Sequence, residues 1–365
     1  MSAAQSQSLA PRLDWVDAAK GLSIILVVMM HSAYGVGDEM GGTGVLHYVI
    51  GWATPFRMPE FFLISGLFLS QVIARPWGRY LDRRVVHYLY FYFLWAALQI
   101  VVKVGLGTGD IGEVLTQIAL SVVDPYGVLW FIYMLALYSL AAKLLHELRV
   151  PHWAAFGAAA LLQIAPIHTG LYTIDHFAEY AVYFYAGYAF APKIFRIVEW
   201  AQERAALAIA GLVAFAVIQG VLVFGGDSQV LPKEVIMGWA ALPVLHLALG
   251  FAGSLAVCVT AALLMKLPVM NWLRWLGAHS IVVYLSFSIP MAASRTILMK
   301  LGVIDDVSVV SILVMLTALL SPLVLYWLIQ TTGWGKFLFE RPDWAHLPGT
   351  SKPAAPRAEA VHPAE

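Results

Sequence analysis

Long apolar runs separated by short polar stretches dominate this chain, at roughly residues 18–36, 46–73, 86–105, 128–146, 152–168, 177–196, 205–225, 235–266, 279–300 and 308–332. A helix needs about 20 apolar residues to cross the hydrocarbon of a bilayer. The runs are continuous rather than alternating, which disfavours a membrane barrel and predicts an all-α polytopic membrane protein with about ten transmembrane helices. Run 152–168 is the shortest. Run 235–266 is longer than a bilayer requires, so it is expected to tilt, or to kink near Pro243. Residues 113–124 are too few to cross and are expected at the external interface. Trp272 and Trp275 around Arg274 read as an anchor at the cytoplasmic interface. Residues 1–349 form one expected membrane domain, and the Ala- and Pro-rich stretch 350–365 a disordered cytoplasmic tail.

Loop charges give the spans a direction. Cytoplasmic loops carry an excess of Lys and Arg. With the amino end inside, the inner segments hold Arg12 and Lys20, then Arg75, Arg79, Arg83 and Arg84, then Lys143 and Arg149. They continue with Lys193, Arg196 and Arg204, then Lys266 and Arg274, and finally Lys336, Arg341, Lys352 and Arg357. The outer segments offer only Lys103, Lys233 and Lys300, against acidic Asp38, Glu39, Asp110, Glu113, Asp124 and Asp175. Both termini are therefore expected in the cytoplasm.

Composition agrees with burial in lipid. The apolar set reaches 61% of 365 residues and charged residues only 12%, where soluble domains carry about 25% charged residues. The 22 basic and 22 acidic side chains balance, so no global field points to nucleic acid. Cys258 is the single cysteine and lies in an apolar run, an inert buried thiol by default. The stretch Met1–Pro11 lacks the basic, apolar and cleavage-site sequence of a signal peptide, so the first run is expected to stay as a helix.

Ionisable residues inside apolar spans are costly and mark function by default. In the first span, Lys20 and His31 lie eleven positions apart, which on a helix places them within about 20° of one another and about 16 Å apart along the axis. Asp17 falls within about 40° of the same stripe. The bland alternative makes Asp17 and Lys20 interfacial and His31 an outer helix cap. The second span holds Pro55, Arg57, Pro59 and Glu60. Two prolines four apart remove amide donors and free carbonyls, which predicts an interrupted helix whose Arg57 faces a wet or protein-lined cavity. Glu60 could pair with Arg57 there, or the two form a structural salt bridge. His246 reads as an interhelical hydrogen bonder, and Arg295 as either a cavity residue or one that snorkels outward. No zinc-type spacing, P-loop or dinucleotide fingerprint occurs, so no metal is expected.

Asp17-Ala-Ala-Lys20-Gly21, followed by the apolar run to His31, resembles the opening of the membrane acyltransferase-3 family, most of all its fucose 4-O-acetylase-like branch. Arg57-Met-Pro-Glu-Phe-Phe-Leu-Ile-Ser65-Gly66 resembles that family's second motif. Leu129-Trp130-Phe131, the stretch Tyr183 to Tyr188 around Gly187, and Leu276-Gly277 with Ser280 and Tyr284-Leu285 resemble its later signatures. The likeness runs from Arg12 to about Thr332. In one departure, Ser286 and Phe287 stand where many members carry a histidine shortly after the late Tyr-Leu.

The resemblance implies transfer of an acyl group, usually acetyl, from a cytoplasmic acyl-CoA (acetyl-CoA first) to a hydroxyl of a glycan, glycolipid or exopolysaccharide precursor. It also implies the bacterial inner membrane. It assigns His31 as general base or transient acyl carrier, and Arg57 as the group that holds the thioester carbonyl or developing oxyanion. Lys20 would contact coenzyme A phosphates with Asp17 orienting it, and Glu60, Ser65, Trp130, Glu179 and Tyr284 would line the substrate site. The competing readings are a secondary transporter, which predicts a repeat between halves that is not visible, and a non-catalytic partner in envelope assembly.

Overall fold

The computed structural model describes residues 13–105, 107 and 109–350, and over them the chain is almost entirely helical. The expected tail at 350–365 lies outside these residues apart from Thr350, as does Met1–Pro11. The helices are α1 Asp14–Met40, α2 Val45–Gly66, α3 Trp77–Gly105, α4 Ile111–Leu120, α5 Trp130–Glu147, α6 His152–Ile164 and α7 Tyr172–Glu203. They continue with α8 Ala205–Phe224, α9 Pro243–Leu264, α10 Asn271–Ala278, α11 Ser280–Ser286, α12 Ser288–Leu301 and α13 Val307–Thr332.

Six of them, α1, α3, α8, α9, α13 and the stretch Gly127–Glu147 that contains α5, are long and apolar enough to cross a membrane. The pair α11 and α12, bent by 55°, adds a seventh if it is one span. The chain is thus an all-α multi-pass membrane protein. Helices α2 and α7 have the length, 22 and 32 residues, but are too polar to meet the same test. Helix α6 has only 13 residues, about 20 Å of helix against about 30 Å of hydrocarbon.

Three expectations change here. Helix α2 runs on through Pro55 and Pro59 rather than breaking; the flanking helices hold it, and the Thr54 hydroxyl donates to the Ile50 carbonyl at 2.8 Å. Pro243 starts α9 instead of kinking it, because its fixed φ and missing N–H suit the first helical position. The polar stretch before it folds as a two-stranded antiparallel hairpin, Gln229–Val230 with Val235–Ile236. The interruption falls instead in the ninth run, at Ser286-Phe287-Ser288.

Helix α1 is central and packs against α2, α9, α10 and α13, while α2 packs against α7 and α9. In a bilayer no hydrophobic effect drives helices together, so close backbone approach does. Glycines make that approach possible at two crossings. A Cβ on Gly277 would collide with the Asp17 carbonyl where α10 meets α1, and a Cβ on Gly187 would collide with the Leu63 carbonyl where α7 meets α2. The recurring glycines of the sequence motifs are thus contact points between helices.

Polar pairings join segments expected on one side. At the end expected outside, Lys233 meets Asp38 at 2.9 Å and Arg295 meets Glu39 at 2.7 Å. At the inner end, Arg274 meets Asp14 at 2.9 Å. Beyond α13 the chain doubles back over α3: the Trp95 indole N–H donates to the Leu338 carbonyl at 2.9 Å and Tyr90 to the Phe337 carbonyl at 3.0 Å. Buried Asp82 fixes this strap, accepting from the Arg341 guanidinium at 2.6 Å and the Leu347 amide at 2.8 Å.

Candidate active site

Two cavities lie along the track predicted on α1. The inner one, about 280 Å³, is lined by Asp17, Lys20, Ser65, His87, Tyr88 and neighbours. Lys20 Nζ stands 3.4 Å from Asp17 Oδ1. The Ser65 hydroxyl donates to the Phe61 carbonyl at 2.8 Å. The deeper cavity, about 600 Å³, is lined by His31, Arg57, Asp124, Trp130, His176 and Tyr180 among others.

Phe131 and Tyr284 line both cavities and form the wall between them. Phe61 thickens that wall, its ring centroid 4.4 Å from that of Phe131. The Tyr284 hydroxyl donates to the Val128 carbonyl at 2.6 Å and accepts from the Ile132 amide at 3.4 Å, which pins the ring in place.

In the deeper cavity the Arg57 guanidinium keeps Nε and Nη1 buried and without a hydrogen-bond partner. Its electrostatic neighbours are the Tyr34, Tyr180 and Glu179 side chains. Burying such donors unmet is costly, and N–H groups aimed into a cavity are poised for an anionic or carbonyl oxygen. His31 senses the charges of Arg57 and Lys103. Its ring lies 5.6 Å from Phe287, centroid to centroid. Phe287 is therefore an apolar wall against His31, at the break between α11 and α12.

A second imidazole, His176, faces the cavity from α7. It stacks on Tyr172 at 3.7 Å, meets the edge of Trp130 at 4.4 Å and makes a hydrogen bond to the Tyr172 backbone.

The substrate-lining expectations divide. Trp130 lines the His31 cavity and Tyr284 its wall, while Ser65 belongs to the inner cavity. Glu179 lines a third, outer cavity on the neighbouring row of α7, within electrostatic reach of Arg57. Glu60 lines none of these three and forms no ion pair with Arg57 among the described residues. Because α2 is continuous, three residues rotate Glu60 by about 60° from Arg57. That turn carries its fully buried carboxyl into the seam towards Ser23 and Cys258. Arg57 and Glu60 thus do not form the ion pair that their spacing allowed.

A family profile described as an acyltransferase domain matches residues 13–331, most of the chain. The chain belongs to the acyltransferase-3 family. The match takes in α1 to α13, so both cavities lie within the acyltransferase-3 region. Among curated proteins, the inner membrane protein YcfT of Escherichia coli (strain K12) is 36% identical over 83 residues, covering 20% of this chain and 23% of that protein. The shared segment is thus under a quarter of the relative's length. No solved structure matches.

Within this family framework, sequence reasoning missed His176, Tyr34, Lys103 and Asp124. His176 was signalled by the row Tyr172, His176, Tyr180, spaced by four on one helical face. Asp124 and Lys103 sit at the edges of runs, where solvated loop charges look the same in sequence.

Proposed function

We propose that this chain transfers an acyl group, acetyl in the simplest case, from a cytoplasmic acyl-CoA to a hydroxyl of a glycan, glycolipid or exopolysaccharide precursor at the bacterial inner membrane. One observation carries the reading: His31 and the unpartnered N–H groups of Arg57 line one cavity. His31 takes the acceptor hydroxyl's proton as its oxygen bonds to the thioester carbonyl carbon. Arg57 holds the oxyanion of the tetrahedral intermediate. The carbonyl re-forms, the carbon–sulfur bond breaks, and the imidazolium returns the proton to the departing thiolate.

The two-cavity arrangement suits a donor entering from the cytoplasm. Lys20, steadied by Asp17, stands in the inner cavity as a point charge for phosphate. The acyl group then passes the Phe61, Phe131 and Tyr284 wall to reach His31. The test is direct transfer: purified protein in liposomes is given radiolabelled acetyl-CoA and an envelope glycolipid extract. Label entering the glycolipid fraction supports the proposal, and label that stays with coenzyme A at every donor concentration overturns it.

A further inference from the structure

On the other side of the α7 row that carries His176 and Tyr180 lies the outer cavity, about 270 Å³, between the α6–α7 loop and the start of α9. Its polar lining is Gln163, His168, Asp175, Glu179 and His246, set among apolar Leu, Ile, Pro and Ala side chains. Asp175 is occupied: the Thr169 amide and hydroxyl donate to one carboxylate oxygen at 2.7 and 2.8 Å, and the Gly170 amide to the other at 3.2 Å. These bonds hold the Asp175 carboxyl below the usual carboxylate range and fix the loop as a wall.

Gln163 and His246 are different. Gln163 Oε1 and His246 Nδ1 are both buried without a partner, while the imidazole also makes a hydrogen bond to the Ala240 backbone. Buried polar atoms normally find a hydrogen bond, so two orphans facing one cavity need an occupant. Glu179, already hydrogen-bonded to Tyr180 and within electrostatic reach of Arg57, adds further acceptor capacity beside them.

We infer that this outer cavity is a subsite for a pyranose unit of the acceptor, held through hydroxyl groups that donate to Gln163 Oε1, Glu179 and His246 Nδ1. The inference rests on the proposed acyl transfer to a glycan and adds where the non-reacting part of the acceptor sits. Acceptor-rich polar groups among apolar side chains suit a ring that offers several O–H donors and an apolar face. The subsite flanks α7, whose Tyr172, His176 and Tyr180 line the His31 cavity on the neighbouring row.

The test is saturation-transfer NMR of methyl pyranosides (glucoside, galactoside and N-acetylglucosaminide) with the full chain in lipid nanodiscs. Wild type should bind at least one probe. The double variant Gln163→Leu/His246→Leu should lose about tenfold in affinity, the scale of unmet buried partners. Ala178→Leu, which fills the cavity from α7 and leaves the polar groups in place, should lose binding equally, so misfolding of one variant does not decide the outcome. Absence of binding to wild type, or wild-type affinity in either folded variant, overturns the subsite. Transfer assays separate it from the proposed reaction: acyl transfer with an unchanged acceptor KM in the cavity variants sinks the subsite alone. Sugar binding by a wild type that transfers no acyl group sinks the reaction alone.

Discussion

Arg57 is the side chain whose replacement separates chemistry from architecture. Its guanidinium is buried in the His31 cavity with Nε and Nη1 unpaired. A donor that serves only the folded state would have a protein acceptor; these have none among the described residues. Loss of one oxyanion donor costs roughly 2.7–4 kcal/mol, or 10²–10³ in kcat, so Arg57→Met should reduce turnover by at least about a hundredfold. Arg57→Lys keeps a charge but loses the planar fork, and its loss should be intermediate. Stability should change far less: Arg57→Met relieves the desolvation of a buried charge but gives up its hydrogen bond with Tyr34, so the thermal midpoint should stay near that of wild type. Initial rates of label transfer from acetyl-CoA in proteoliposomes, paired with thermal unfolding of the same samples, read both quantities. Turnover within about threefold of wild type, roughly 0.6 kcal/mol of barrier, would refute the assignment. So would a fall in activity that tracked an equal fall in the midpoint.

Other expectations follow from the packing. Gly187→Ala forces a methyl into the Leu63 carbonyl at the α2–α7 crossing; overpacking of this kind costs about 1–3 kcal/mol, and a thermal midpoint equal to wild type would contradict the contact. Lys20→Ala should raise the KM for acetyl-CoA with little change in kcat, because Lys20 lines the inner cavity away from His31; an unchanged KM would remove Lys20 from the donor site. Asp82→Ala leaves Arg341 buried without its carboxylate, a loss of about 3–5 kcal/mol. Hydrogen exchange over residues 336–350 should then accelerate, and unaltered protection would show that the strap is held elsewhere.

Much of this architecture was legible in the sequence because lipid leaves few solutions. Continuous apolar runs must be helices, and the same-side pairings of Lys233 with Asp38 and Arg274 with Asp14 agree with the order read from loop charges. Spacing along α1 put Lys20 and His31 on one track, and the structure places each in a cavity along it. What the sequence could not convey is how neighbours override local chemistry. Two prolines did not break α2, which packs among α1, α7 and α9, whereas the ninth run bends at Ser286-Phe287-Ser288, one turn before Pro290, and sets Phe287 against His31. Glu60 shows the same limit. Its nearness to Arg57 in sequence suggested a pair, but the two side chains leave α2 in different directions, one into the cavity and one into the seam with α1 and α9. For His176 the i, i+4 row with Tyr172 and Tyr180 was visible, but its neighbours across the cavity come from α1, α2 and α5, which only the fold brings together.

The central claim is that the His31 and Arg57 cavity performs acyl transfer to an envelope glycan. It is tested most directly by mass spectrometry of envelope glycans and glycolipids from a deletion strain complemented with wild type or with His31→Ala, at matched membrane levels. An acyl mass increment that is absent in the deletion strain, returns with wild type and does not return with His31→Ala is the predicted result. An increment restored equally by His31→Ala, or identical glycan masses in the deletion and wild-type strains, would contradict the account.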